Sequence, residues 1–291
     1  MRKHKTHFHK LLNRFLFCTD FPKYNKFLFC KQYINNDHKI DRKLLSHYLT
    51  YLDFINGWFH KEEAQMFLWL DYIQKKENVS GNLFEIGTFE GKSSLMLALM
   101  TNPENEKLGL CDLFGGMDWD PEWGNINRAV IVDHLKSFFN DMNFIKIYEK
   151  RSNELTENEC NNCRFVHVDG GHSEEDTLSD LKLASKSIIQ KGLVVIDDLY
   201  LQNLPSVTDG IYKFLTNENS LVPVAMFAKK LLLCKPGAYD FYMKNLKLLE
   251  WKKYITTPGL TTVERKLLGK PVLVFGVKFF DEIKDVTLRV H

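Results

Sequence analysis

Asp112, Asp169, His172 and the pair Asp197-Asp198 have the types and spacings that can bind a nucleoside, move a proton or hold a cation. Asp169 and Asp197 are 28 residues apart, about the length of one strand–helix–strand unit. Carboxylates gathered at one point repel one another unless one is protonated or a cation binds. An all-oxygen donor set favours a hard divalent ion such as Mg²⁺, so Asp169, Asp197 and Asp198 are candidate metal ligands. The alternative is that Asp198 caps the following loop, Asp197 meets a lysine and no metal is held. His172 follows Asp169 by three positions, and imidazole titrates near neutral pH. Asp169 and His172 are therefore the candidate catalytic pair for deprotonating a hydroxyl. His172 could instead orient Asp169.

The other chemically suggestive stretch is Asn82–Ser94, which contains Glu85-x-Gly87-x-x-x-Gly91-x-Ser93. It is a short apolar strand, then a glycine turn, then a helix. Such a unit brings backbone N–H groups close to a nucleotide-like ligand. Gly87 permits the sharp turn and Gly91 permits close approach of the helix. Glu85 is an unusual charge inside a strand and requires a partner, either a cationic ligand or a backbone donor. Asp112 comes 25 positions after Gly87, where an acid can accept from both ribose hydroxyls. The candidate cofactor-binding residues are Glu85, Gly87, Thr88, Gly91, Ser93, Asp112, Leu113, Ser152 and Asp169.

Alternating elements must position these groups. Helical periodicity covers residues 44–56 and 59–76. The pattern then predicts strands at 83–86, 108–111, 144–148, 164–168 and 193–196, and helices at 93–100, 126–140, 173–190 and 209–215. A closing strand pair follows at 221–228 and 231–235, and 271–280 could add another strand. Ser173-x-x-Asp176 caps the helix after the fourth strand. Near-continuous apolar runs such as Gly-Leu-Val-Val-Ile indicate a buried, mostly parallel sheet, hence an α/β fold. Gly87, Asp112, Asp169 and Asp197-Asp198 all fall at the carboxyl ends of strands, the edge where such sheets bind ligands.

The glycine turn followed by Asp112 resembles the S-adenosylmethionine site of class I methyltransferases. Asp112-Leu-Phe114-Gly-Gly116 and Val168-Asp169-Gly-Gly-His172-Ser, with Asp180 and Val195-Ile-Asp197-Asp198 beyond, resemble the macrocin O-methyltransferase-like branch. The resemblance implies a Rossmann-like methyltransferase fold, with a mostly parallel seven-stranded sheet and helices on both faces. It implies an S-adenosyl-L-methionine-dependent enzyme that methylates a hydroxyl of a small molecule or sugar with the help of Mg²⁺ or another hard ion. Asp112 maps to the ribose acid, and Gly87–Ser93 lies near the methionine end. Neighbouring fourth and fifth strands would put Asp169 and Asp197 about 5 Å apart. The chain departs from the pattern at Glu149-Lys-Arg-Ser152, where a glycine is common, and at Gly171, where metal-dependent relatives can carry an acid.

The 291 residues are 44% hydrophobic and 26% charged, with net charge +2, an ordinary globular composition. No apolar run approaches a membrane span, no secretory signal is evident, and six cysteines without a regular framework fit a reducing cytoplasm. Cys160-Asn-Asn-Cys163 has no second Cys-x-x-Cys and reads as two ordinary thiols. Residues 1–43 carry 11 Lys and Arg against 3 Asp and Glu, interleaved with phenylalanines. This reads as a helical N-terminal extension, 1–56, whose basic face is solvated or touches an anionic membrane surface. The methyltransferase domain is expected over 57–235 and a C-terminal appendage over 236–291. Met117, Trp119 and Trp123 read as an acceptor lid or as loop packing. A small-molecule or sugar acceptor, no nucleic acid, and compatibility with a homo-oligomer complete the expectation. The competing readings are a nicotinamide-dependent oxidoreductase, which would want Gly-x-Gly-x-x-Gly, and a non-catalytic binding module on the same fold.

Overall fold

The computed structural model describes residues 48–115, 128–248 and 260–277. The readings placed on residues 1–47, on Met117, Trp119 and Trp123, and on the far C-terminus fall outside the described residues.

The element order is α1 (Lys61–Lys76), β1 (Asn82–Ile86), α2 (Lys92–Met100), β2 (Leu108–Asp112), α3 (Arg128–Lys136), β3 (Ile145–Glu149), β4 (Cys163–Val168), α4 (Glu174–Ser187), β5 (Ile188–Ile196), α5 (Pro205–Asn217), β6 (Val222–Phe227), β7 (Lys230–Cys234), α6 (Tyr239–Leu246), β8 (Leu260–Leu267) and β9 (Lys270–Val277). All strands form one sheet in the order β3-β2-β1-β4-β5-β7-β6-β9-β8. The β3 to β5 stretch is parallel, β7 is antiparallel to both β5 and β6, and β9 joins β6 in parallel.

Among the described residues the sheet has nine strands, not seven. The two extra strands are a C-terminal hairpin that adds to the outer edge of β6. Its first arm, Leu260–Leu267, carries Thr, Thr, Glu, Arg and Lys at its centre and is largely exposed. An edge strand of that composition gives little apolar alternation to read. A second difference lies at Ile188–Gln190, which reads as the end of a helix but opens β5. β-Branched Ile188 and Ile189 favour the strand, and Ile188 is buried beside Cys163.

Side chains alternate across the sheet with a period of two. Leu83, Phe165, Leu193 and Val195 face the layer containing α1, α2, α3 and α6, while Phe84, Ile86, Val166, Val168, Val194 and Ile196 face α4 and α5. The same parity puts Glu85, His167 and Asp197 on the α1 side. The register agrees, with Glu85 opposite His167 and His167 opposite Val195.

The amino end of β4 is fixed by Arg164, which is fully buried. Its guanidinium meets Asp71 of α1 at 2.8 Å and Glu106 at 2.6 and 3.0 Å, and it donates to the Met100 carbonyl at 2.9 Å. This cluster ties α1, α2 and β4 together at the end of the sheet away from the glycine turn.

Candidate active site

β1 ends in a turn that only glycine accommodates. Gly87 has φ +81°, and a Cβ there would lie 1.8 Å from the Asp169 carbonyl oxygen. Its N–H donates to the Cys111 carbonyl at 2.9 Å, which locks the turn to β2. Gly91 has φ +85° at the start of α2, where a Cβ would press on Ile131. Between them, Thr88 N–H (2.6 Å), Thr88 Oγ1 (3.1 Å) and Phe89 N–H (2.9 Å) all donate to Asp112 Oδ2. Phe114 N–H donates to Oδ1 at 2.9 Å. Asp112 therefore braces the turn with one oxygen and keeps lone-pair capacity on the other. Leu113, beside it, is half exposed, Ser93 is buried in the first turn of α2, and Ser152 opens a short 3₁₀ turn after β3.

The parallel order brings Asp169, at the end of β4, against Gly87 and beside Asp197, at the end of β5. Asp169 N–H donates to Ile86 O at 2.8 Å and Asp197 N–H to Val168 O at 2.9 Å. Asp169, Gly170, His172, Asp197 and Asp198 line one cleft. His172 Nε2 is 3.4 Å from Asp198 Oδ2. Burial, reinforced by the charge of Asp197, pushes the Asp169 carboxyl well above the usual carboxylate range, and Lys230 only partly offsets this.

The lysine that the alternative reading gave Asp197 is Lys230, with Lys229 beside it, neither of which the residue order singles out. β6 and β7 form a tight hairpin through Ala228, which has φ +52°. Antiparallel pairing of β7 with β5 aligns Leu231 with Ile196, so the first residue of β7 abuts Asp197. Lys230, fully buried, contacts Asp197 Oδ2, Glu63 Oε1 at 3.4 Å and His167 Nε2 at 3.4 Å. Lys229 lies 2.7 Å from Asp198 Oδ1 and 3.5 Å from Asp197 Oδ1. Burial works to raise the Asp197 carboxyl, yet the Lys230 and Lys229 ammonium groups hold it at about 2.

Glu85 finds a different partner from the ones its position suggested. It is fully buried on the α1 face, accepts from the Ser94 hydroxyl, and lies 2.8 Å from His167 Nδ1. Lys230 has no lone pair to offer, so His167 Nε2 accepts and Nδ1–H donates to Glu85. The strand parity that makes His167 a buried neighbour of Glu85 follows from the Phe-Val-His-Val-Asp alternation. A lysine following an apolar strand reads, by contrast, as a solvated turn residue.

Asp169, Asp197 and Asp198 do not present an open trio to a divalent ion. Both Asp197 oxygens are engaged, Oδ2 by Lys230 and Oδ1 by the Asp198 N–H at 2.8 Å, with Lys229 close by. One Asp198 oxygen is held by Lys229. Asp169, His172 and Asp198 do have ligand atoms within 4.8 Å of one another, as do His167, Asp169 and Asp197. Two members of the second set, His167 and Asp197, already contact the Lys230 ammonium.

Asp180, on α4, reaches back beneath the β4 turn. A Cβ on Gly170 would come 2.7 Å from its Oδ2. Neither oxygen has a hydrogen-bond partner within bonding geometry, and burial pushes its carboxyl to about 7. Cys160 and Cys163 are buried free thiols.

Residues 84–199 match a family model described as Methyltransferase domain. The match opens on β1, spans the glycine turn and ends just past Asp197-Asp198. No curated protein matches the chain. Among solved structures, the O-methyltransferase NovP is similar at 11% identity and a TM-score of 0.48, covering 60% of this chain and 80% of that one. CalS11, a TDP-rhamnose 3′-O-methyltransferase of calicheamicin biosynthesis, is similar at 14% identity and a TM-score of 0.46, covering 70% of this chain and 96% of that one.

Proposed function

We propose that this protein is an S-adenosylmethionine-dependent methyltransferase that methylates a hydroxyl of a small molecule or sugar. The observation that carries the proposal is the glycine turn. It is braced by Asp112 at the end of β2 and closed against Asp169 at the end of β4, within the segment matching a methyltransferase domain. Adjacent parallel strand ends, a glycine turn into a helix and an acid for ribose hydroxyls form a nucleoside cradle. A bound sulfonium would supply an activated methyl group, whose S–C bonding electrons return to sulfur as the acceptor oxygen bonds to carbon.

The chain's own task is alignment and proton control. Asp169 is the proton acceptor, since its raised carboxyl sits in the cleft next to the turn. A carboxylate whose proton affinity is raised by burial is a stronger base toward a hydroxyl proton than an ordinary carboxylate. His172, close to Asp198, completes the polar wall that faces the acceptor. Glu85 works from behind, holding Ser94 of α2 and His167 of β4 at fixed distances from the turn.

The test is transfer of a labelled methyl group from S-adenosylmethionine to a panel of phenols, sugars and nucleotide sugars. Transfer to an oxygen, reduced at least about a hundredfold in Asp169→Asn, supports the reading. Transfer to nitrogen or carbon only, or an Asp169→Asn variant with undiminished turnover, overturns it.

A further inference from the structure

We propose that Lys230, with Lys229 beside it, is the resident counter-cation of the acid cluster and stands where a divalent ion would otherwise be needed. The proposal rests on the methyltransferase reading for its role in turnover, but not for its electrostatics.

An ammonium has three N–H donors and no acceptor. Lys230 hydrogen-bonds Asp197 Oδ2 and His167 Nε2, and its third neighbour, Glu63 Oε1, is an ion-pair contact at 3.4 Å without a hydrogen bond. It is fully buried, and a buried cation persists only where fixed negative charge and hydrogen bonds compensate its desolvation. The ligand atoms of His167, Asp169 and Asp197 lie within 4.8 Å of one another, a spacing suited to a metal ion. Here the His167 nitrogen and one Asp197 oxygen point at a lysine instead.

The two lysines offset part of the cleft's negative charge. Asp197 and Asp198 are matched by Lys230 and Lys229, and Asp169 is the surplus acid. This assigns the proton-transfer role to Asp169 without a Lewis acid, since Asp197 and Asp198 already have lysine partners and, among the described residues, Asp169 has none within ion-pair distance. Lys230 is thus a positioning residue that acts through Asp197 and His167. The β6–β7 hairpin, and not a soluble ion, supplies the positive charge.

Removing the Lys230 ammonium should convert the inner set into a metal site, because two carboxylates and an imidazole would then lose their buried cation, leaving only Lys229 at 3.5 Å from Asp197. The experiment is Mn²⁺ titration of the full-length protein by calorimetry and electron paramagnetic resonance, in wild type, Lys230→Gln and Lys230→Met. Lys229→Gln, at a partly exposed position, is included in case the buried variants do not fold. S-adenosylhomocysteine binding is measured on the same samples. Expected are weak, non-stoichiometric Mn²⁺ binding by wild type, and a gain of about tenfold or more in Mn²⁺ affinity in the Lys230 variants. Lys229→Gln should gain affinity to a smaller degree, and wild-type methyl transfer should survive chelation. Stoichiometric Mn²⁺ binding by wild type that is lost in Asp198→Asn would overturn the proposal and place the ion on Asp169, His172 and Asp198. Folded lysine variants that gain no Mn²⁺ affinity would overturn it as well. Failure of wild type to bind S-adenosylhomocysteine would refute the donor reading instead, and the Mn²⁺ titration would still decide the role of the lysines.

Discussion

Asp180 should make the protein less stable as pH rises, and Asp180→Asn should abolish that dependence. The carboxyl is buried without a hydrogen bond, and burial raises it from 3.8 to about 7. The folded state therefore holds its proton more tightly than the unfolded chain. The stabilising effect of protonation is fully present below about pH 4 and is lost as pH climbs through about 7. Each tenfold gain in proton affinity corresponds to about 1.4 kcal/mol, so the full penalty for ionising Asp180 is about 4 kcal/mol. Between about pH 5 and about pH 8 the share contributed by this one group is about 2.5 kcal/mol. Asparagine is nearly isosteric and does not titrate. Any cost of burying its amide is the same at both pH values and cancels in the comparison. Urea denaturation of wild type and Asp180→Asn at the two pH values gives the number directly. The stability difference should move in favour of the variant by about 2.5 kcal/mol on going to the higher pH. Parallel pH profiles would refute the argument, since they would mean that the carboxyl is solvated or bonded in the native state.

Other expectations can be checked in the same way. Gly87→Ala should fail to fold or lose S-adenosylhomocysteine binding, because the added Cβ would lie 1.8 Å from the Asp169 carbonyl; calorimetry with unchanged affinity would contradict this. Arg164→Met leaves Glu106 buried without its cation and Asp71 with Lys75 alone, and should destabilise the fold by about 3–5 kcal/mol in urea denaturation. Asp112→Asn should weaken S-adenosylhomocysteine binding by about tenfold or more, while leaving the helical circular-dichroism signal intact. Methyl transfer should rise with pH as Asp169 loses the proton that burial and Asp197 make it retain, and Asp169→Asn should remove that dependence.

Much of the frame is legible in the residue order because its signals are local. Continuous apolar runs mark the parallel strands, Gly87 and Gly91 mark the turn, and Ser173 accepts from the Asp176 N–H as the capping pattern indicates. Asp112, Asp169 and Asp197-Asp198 end strands in the chain, and parallel order alone carries them to one edge of the sheet. What stays hidden depends on which strands become neighbours. Lys230 follows a hairpin turn, and its burial becomes evident only when β7 runs antiparallel to β5 and sets it against Asp197. Glu85 is visibly out of place in an apolar strand, yet its partners come from α2 and from β4, the latter more than eighty positions away. In the C-terminal hairpin the strand expected at 271–280 appears as Lys270–Val277, whereas Leu260–Leu267 escaped because an exposed edge strand needs no apolar alternation.

The central claim is that the Gly87–Gly91 turn and Asp112 bind an adenosyl sulfonium. Calorimetric titration of the full chain with S-adenosylhomocysteine, and separately with a nicotinamide dinucleotide, tests it most directly. One S-adenosylhomocysteine bound per chain, weakened in Asp112→Asn, with no heat from the dinucleotide, is the expected result. Saturable dinucleotide binding with no response to S-adenosylhomocysteine would contradict it.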